Sequence, residues 1–345
     1  MRFEAITIKD IAKALGLSTS TVSRALRDSY EISPKTKEIV IKYAKENNYR
    51  PNPIALSLKE KRSSSIGVLV GEIANSFFSQ AINGIESIAH ERGYNVIIAQ
   101  NKEQLEREDS ALQYLASRSV DGILLSVSAQ TSNFDHIKKL YERSMPMVSF
   151  DCVVDFDGIH KVIVDNAKAA FDGTEHLINK GFKNIACVAS SSFLSITKER
   201  VKGYVEALQK HKLPIHEANI QYIVHGGVIA EEIYDAMDVL MNQKNKPDAL
   251  VVCSDRLTTN VMRYCQQKHI HIPNQLGLIG FSNLDLTDLL TPSLSVLRQP
   301  AYEMGRTAAD LLIKMIESKR PVTDFETVVL TSDLIERESS VPKKK

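Results

Sequence analysis

Thr19, Ser20, Ser23, Arg24 and Arg27 recur at i, i+1, i+4, i+5 and i+8, which places them on one face of a helix. The face is small, hydroxylated and cationic, and it opens just after Ser18, a residue type suited to capping that helix. Such a surface offers hydrogen bonds without bulk, as the floor of a DNA major groove requires. Thr19 and Ser20, in the first turn, are placed to reach base edges, and Arg24 to engage a guanine bidentately. Ser18, Ser23 and the first-turn amides then meet phosphates. Without a duplex, the same pattern describes a solvated face on a small helical domain.

Other chemistries lack support. No glycine-rich phosphate loop follows a strand, and neither HExxH nor GxSxG occurs. Cys152, Cys187, Cys253 and Cys265 form no CxxC pair and read as buried thiols of a reducing compartment. The expectation is a chain without catalytic machinery, cofactor or metal.

The elements that position the basic face follow from periodicity. Thr7 can cap a first helix, with Asp10 at its third position, and Ile8, Ile11, Ala12 and Leu15 form one apolar stripe. Gly16 stops it, and the second helix runs from the Ser18 cap to about Leu26 with Val22, Ala25 and Leu26 inward. Two short helices about a tight glycine turn form a helix-turn-helix. Ser33 and Pro34 open a third helix whose stripe is Ile39, Val40, Tyr43 and Ala44.

The charge agrees with a DNA-facing head. The 345 residues carry a net charge of only +1, but residues 1–62 hold 13 Lys/Arg against 7 Asp/Glu, and the remainder 30 against 35. A basic head on an acidic body suits contact with a polyanion. With 43% hydrophobic and 25% charged residues the chain is ordinary globular material. It has no apolar run of about 18 residues and no apolar signal core near Met1, so the expectation is cytoplasmic, with no membrane partner.

Behind the head, Tyr49–Lys59 holds Asn52 as a candidate cap and Pro53 as a first helical residue, in a helix too short to be stable alone. Leu56 and Leu58 beside Lys59, Lys61 and Arg62 resemble apolar wedges that enter a minor groove, although a plain linker reads the same way. The strings TIKDIAKALGLSTSTVSRAL (Thr7 to Leu26) and YRPNPIALSLKEKR (Tyr49 to Arg62) resemble the head of the lactose/galactose repressor family (LacI/GalR). The resemblance implies a helix-turn-helix, a hinge helix and a two-lobed, dimerising effector core. It matches Thr19, Ser20 and Arg24 to base-reading positions and Leu58 to the hinge leucine. The DNA-facing set is then Thr7, Ser18, Thr19, Ser20, Thr21, Ser23, Arg24 and Arg27, with Asn52, Ala55, Leu58 and Lys59 from the hinge.

From Ser65 onward, short β-branched runs alternate with helical stretches: strands near residues 65–70, 94–98, 122–126, 146–150, 185–189, 220–224, 249–253 and 276–280. This is the pattern of βαβ units and parallel sheets. Ala89–Ile97 parallels Leu177–Ile185 (helix end, glycine, aromatic, strand), which implies two similar lobes. The fold class expected is an all-α helix-turn-helix head plus an α/β core of two doubly wound parallel-sheet lobes, which the family resemblance implies to be periplasmic-binding-protein-like. The expected boundaries are a head at 1–50, a hinge at 51–64 and a core at 65–340. Leu294–Pro300 and Met304–Arg306 resemble the family's return into the first lobe, which implies a first lobe of about 65–163 and 294–322 and a second of about 164–293 and 323–340.

Ligands of open parallel sheets lie beyond the strand C-termini. That edge collects Asn75, Phe77 and Phe78, then Ser126, Ser128 and Asp151, then Ser191, Phe193, Ser254, Asp255, Ser282 and Asn283. Each alone reads as a capped loop; together they suit a small polar ligand such as a sugar. The resemblance matches Asp151 to an effector-contacting aspartate and Arg200 to a cleft arginine. Where the family usually has a ligand carboxylate, this chain has Ser282, which cannot grip two vicinal hydroxyls as a carboxylate does. The effector set is Asn75, Phe77, Phe78, Ser128, Asp151, Phe193, Arg200, Ser254, Asp255 and Ser282. The expected whole is a homodimeric repressor on a pseudo-palindromic operator, controlled by a carbohydrate-like effector; the alternative is a soluble small-molecule binding protein that does not touch DNA.

Overall fold

The computed structural model describes residues 6–49 and 62–342, which fall into two compact units dividing at Ser63. In the first unit, helix α1 (Ile8–Leu15) opens on a reciprocal capping box, in which Asp10 N–H donates to Thr7 Oγ1 and Thr7 N–H to the Asp10 carboxylate. Gly16 ends it in the left-handed conformation, φ +63°, where a Cβ would be strained. Ser18 caps α2 (Thr19–Ala25) and Ser33 caps α3 (Pro34–Glu46). Ile11, Ala12, Val22, Ala25, Val40 and Ala44 close the core between them. Ile39 departs from expectation: it is 47% exposed, because α3 presents only Val40 and Ala44 fully inward.

The second unit holds two lobes built alike. In the first, β1 (Ser65–Val70), α4 (Ser76–Glu91), β2 (Asn95–Gln100), α5 (Leu105–Ser117), β3 (Gly122–Leu125), α6 (Asp135–Glu142), β4 (Met147–Phe150) and β5 (His160–Val164) follow in order. In the second come α7 (Asn166–Asn179), β6 (Ile185–Ser190), α8 (Ser195–Lys210), β7 (Ile220–Ile223), α9 (Ala230–Met241), β8 (Ala249–Val252), α10 (Asp255–Gln267), β9 (Gly277–Phe281) and β10 (Ser295–Arg298). The chain then returns through α11 (Ala301–Glu317) and β11 (Thr327–Leu330) before β12 (Asp333–Ile335). The first sheet runs β11-β5-β4-β3-β1-β2, all parallel, and the second β12-β10-β9-β8-β6-β7, parallel except for β12. Both reverse strand order beside their first strand, the point at which doubly wound sheets leave a crevice.

The lobe boundaries differ from the sequence expectation in the returning segments. β10, expected in the first lobe, pairs with β9 of the second sheet, Val296 opposite Gly280. β11, expected in the second, pairs with β5 of the first, Val328 opposite Val162. Short apolar runs such as Leu294–Leu297 suit either sheet; pairing register alone assigns them. The chain therefore changes lobe after Val164, after Arg298 and after Leu330.

Glycines let the flanking helices approach closely. A Cβ on Gly84 of α4 would stand 2.0 Å from the Tyr302 carbonyl oxygen of α11, and one on Gly305 of α11 would stand 2.0 Å from that of Ala81. These contacts hold α4 and α11 together on the first lobe, where Ala81, Ile85, Ala301, Met304 and Ala308 join one core.

Candidate DNA-reading face and interlobe cleft

The first candidate site is the outer face of α2. Thr7, Ser18, Thr19, Ser20, Arg24 and Arg27 are exposed, with Thr21 and Ser23 half-buried, so the face expected from spacing is present and open to solvent. Its hydroxyls are ordered by one another: Ser18 Oγ accepts from Thr21 N–H at 3.1 Å and lies 2.8 Å from Ser20 Oγ and Thr21 Oγ1. Arg27 donates to Ser23 Oγ at 3.1 Å. Thr7 commits its hydroxyl to Asp10, at 2.6 Å. Arg24 Nη1 stands 2.9 Å from Glu31 Oε2, a partner that no helical period reveals because Glu31 lies in the turn before α3. Asn52, Ala55, Leu58 and Lys59 lie outside the described residues.

The second candidate site is the crevice between the lobes, where the strand ends of both sheets meet. Asn75, Phe77, Phe78, Asp151, Arg200, Ser254 and Asp255 all line an inner cavity of about 80 Å³, so seven of the ten expected residues come together. Asn75 and Ser254 also cap α4 and α10. The other three stand elsewhere. Ser128 is wholly buried, its hydroxyl 2.9 Å from Thr131 Oγ1 and its N–H given to Glu108. Phe193 is 64% exposed while its neighbour Leu194 turns to the cavity. Ser282 is buried and donates to Asp255 Oδ1. Strand-end position places a residue near the cleft, but the turn conformation decides which way it points.

Sequence reading missed Glu103, Cys152, Arg256 and Gln299 on the cavity wall. Glu103 follows β2, and its carboxylate accepts from Ala129 N–H at 2.8 Å. A signal for it existed, since every other early strand end contributed a residue to the set. Lys102, Glu103 and Asp151 each hold positive φ (52°, 59° and 57°), a conformation that costs non-glycine residues about 1–3 kcal/mol and gathers at ligand clamps.

Arg200 is held on several sides. It is 2% exposed, donates through Nε to Asn166 Oδ1 at 2.8 Å and through Nη1 to the Cys253 carbonyl at 2.5 Å, and stacks 3.9 Å from the Phe281 ring centre. Its Nη2 is buried without a hydrogen-bond partner, and the Gln299 side chain faces the Asp151 carboxyl. Burial raises the carboxyls of Asp151 and Glu103 above the usual range, with Arg200 pulling Asp151 back and the Ala129 amide and Arg256 pulling Glu103 back. Burial likewise raises Asp255, against hydrogen bonds from Ser282 and the Asn283 amide. The cavity thus presents an unsatisfied donor, Arg200 Nη2, beside carboxyls whose burial opposes ionisation, a surface for hydroxyl or amide groups that donate and accept together.

The lobes are tied across the mouth. Glu72 of the first lobe pairs with Arg256 of the second and with Lys102 at 3.0 Å. Gln80 exchanges hydrogen bonds with Asn283, donating to its carbonyl at 3.0 Å and accepting from its side chain at 2.8 Å. Among the described residues no group of three His, Cys, Asp or Glu is placed to hold a metal, and no helix is long and apolar enough to cross a membrane.

Comparison with known proteins places this geometry. Residues 63–337 match the family described as periplasmic binding proteins and sugar binding domain of LacI family, and residues 7–52 match the bacterial regulatory proteins, lacI family. The chain is 31% identical to catabolite control protein A of Priestia megaterium, over 91% of this chain and 93% of that protein. It is 33% identical to the HTH-type transcriptional repressor CytR of Escherichia coli K12, over 91% of each. A structure of transcriptional regulator CelR with cellobiose superposes with TM-score 0.70 at 26% identity, covering 97% of this chain and 99% of that one. A lac repressor dimer bound to operator superposes at TM-score 0.83 and 23% identity, over 98% and 100%, which shows the shared fold. The chain, head and lobes together, belongs to the LacI family of DNA-binding transcriptional regulators.

Proposed function

We propose that this chain is a homodimeric repressor that reads a pseudo-palindromic operator with α2 and releases or tightens its grip when a small polar effector occupies the interlobe cleft. The observation that carries the proposal is the pairing, in one chain, of a solvent-open hydroxyl and arginine face with a buried cleft holding the unsatisfied Arg200 Nη2. Thr19, Ser20 and Arg24 read bases; Ser18, Thr21, Ser23 and Arg27 set the register on phosphates. A two-fold dimer places two such faces on half-sites about one helical turn apart.

In the cleft, Arg200 and Gln299 donate to the effector while Asp151, Glu103 and Asp255 accept from it. The CelR neighbour, bound to cellobiose, supports a hydroxylated ligand. The inner space of about 80 Å³ is smaller than the roughly 300–1,000 Å³ of ligand pockets, so the lobes part to admit it. Three chain crossings make that motion a hinge, and it biases operator binding by about 1–3 kcal/mol, the usual range of allosteric coupling.

Binding-site selection on genomic DNA with the purified protein tests the first half of the proposal. A salt-dependent shift is expected, lost on deletion of residues 1–62; its persistence after deletion would defeat the reading of the head. Arg200→Ala tests the second half. It should abolish the effect of any metabolite on operator affinity while leaving operator binding intact, and a surviving response would move the effector out of this cleft.

A further inference from the structure

Outside the inner cavity, the mouth of the cleft opens into a second space of about 400 Å³, within the range of ligand pockets. The two spaces share Asn75, Asp255 and Arg256 on their walls, so one molecule can extend through both. Their chemistry differs. The mouth is faced by three cations, Lys102 from the first lobe and Arg256 and Arg263 from the second. Two of them, Lys102 and Arg256, share one carboxylate, Glu72. Arg263 donates to Asn260 Oδ1 at 3.3 Å, and among the described residues no carboxylate lies within ion-pair distance of it. The second carboxylate on the wall, Asp255, is turned to Ser282 and to the Asn283 amide. The wall of this space thus carries three cations from both lobes against two carboxylates, Glu72 and Asp255, with Glu103 of the inner cavity also facing Arg256, and Arg263 is the cation left without a carboxylate.

We infer that the cleft mouth is an anion subsite, which takes a phosphate monoester or carboxylate carried by an effector whose hydroxylated end occupies the inner cavity. This rests on the reading that the effector enters the cleft. The anion competes with Glu72 for Arg256 and Lys102 and recruits Arg263 as well. In doing so it replaces an intramolecular tie between the lobes with one that exists only when ligand is bound. Glu72 is well placed for that exchange: burial opposes its charge, yet Lys102 and Arg256 hold its carboxyl below the usual range, so the two cations already stabilise an anion at this point.

Titration calorimetry of the full-length protein with inorganic phosphate, and in parallel with acetate, tests the subsite without knowledge of the natural ligand. Arg263→Ala and Lys102→Ala should each weaken phosphate binding by about tenfold or more, as loss of a hydrogen bond to a charged group does. Glu72→Gln should have the opposite sign and tighten it several-fold, which keeps the test decisive if either cation variant folds poorly. Lys314→Ala, on the exposed face of α11, should leave this binding unchanged. Tighter phosphate than acetate assigns the monoester, and the reverse assigns the carboxylate. Phosphate affinity that responds neither to Arg263→Ala nor to Glu72→Gln overturns the subsite. In that event, neutral sugars that still alter operator affinity would preserve the cleft reading. Conversely, phosphate binding that follows the variants, together with an operator response to metabolites that survives Arg200→Ala, would preserve the subsite and defeat the cleft reading.

Discussion

Arg24 offers the sharpest test of how the head reads DNA, because its guanidinium is engaged before DNA arrives. Nη1 lies 2.9 Å from Glu31 Oε2, with side chains 57% and 44% exposed. An ion pair this open to water is worth at most about 1 kcal/mol, whereas a bidentate arginine–guanine contact is worth about 1–3 kcal/mol against a wrong base. Exchange of Glu31 for guanine is therefore downhill, but it is taxed by the pair it breaks. Arg24→Ala should cost about 1–3 kcal/mol, concentrated at one base pair of each half-site. Glu31→Gln should tighten operator binding by up to about fivefold, the affinity equivalent of about 1 kcal/mol. Most of that gain should vanish when Glu31→Gln is combined with Arg24→Ala. Fluorescence anisotropy on the selected operator and its single-base variants, at fixed salt, gives all four corners of this cycle. Equal weakening at every base position by Arg24→Ala would refute base reading. An equal gain from Glu31→Gln with and without Arg24 would refute the competition.

Other outcomes follow from the packing and the buried charges. Gly84→Ala should lower the thermal midpoint and cost about 1–3 kcal/mol, because its Cβ would land 2.0 Å from the Tyr302 carbonyl and force α4 off α11; an unchanged midpoint would show that the helices yield freely. Asp151 has its folded pKa raised by burial, so its contribution to stability is present in acid and is lost as pH rises through that folded value. Asp151→Asn should accordingly raise the midpoint at neutral pH and leave it unchanged in acid, and a gain of equal size at both would exclude charge burial as the cause. Leu58→Ala should reduce operator bending and affinity if that leucine wedges into the minor groove; bending unchanged in a circular-permutation assay would remove the wedge.

Local chemistry was legible in the sequence wherever the elements are short-range. The caps Thr7, Ser18 and Ser33, the Gly16 stop and the outer face of α2 depend on neighbours within one or two turns, so spacing alone placed them. The alternation of strands and helices, and the crevice side of the sheets, were likewise legible because period and connection handedness leave few topologies. The four cysteines are all buried free thiols, as their spacing suggested.

What the chain order could not decide is which short strands pair and which way the turns at their ends point. β10 and β11 went to the lobes opposite to those expected, because a four-residue apolar run carries no mark of its partner strand. Phe193 turned to solvent and Leu194 to the cavity, although they are adjacent residues of one turn. Glu103, Arg256 and Gln299 entered the cleft from three separate strand ends, and the Arg24–Glu31 and Glu72–Arg256 pairs join residues with no periodic relation. Caps and faces are set by bonds along the chain and so are written in it. A cleft is set by how two packed lobes meet, and its charges acquire their energies only from the burial and neighbours that folding supplies.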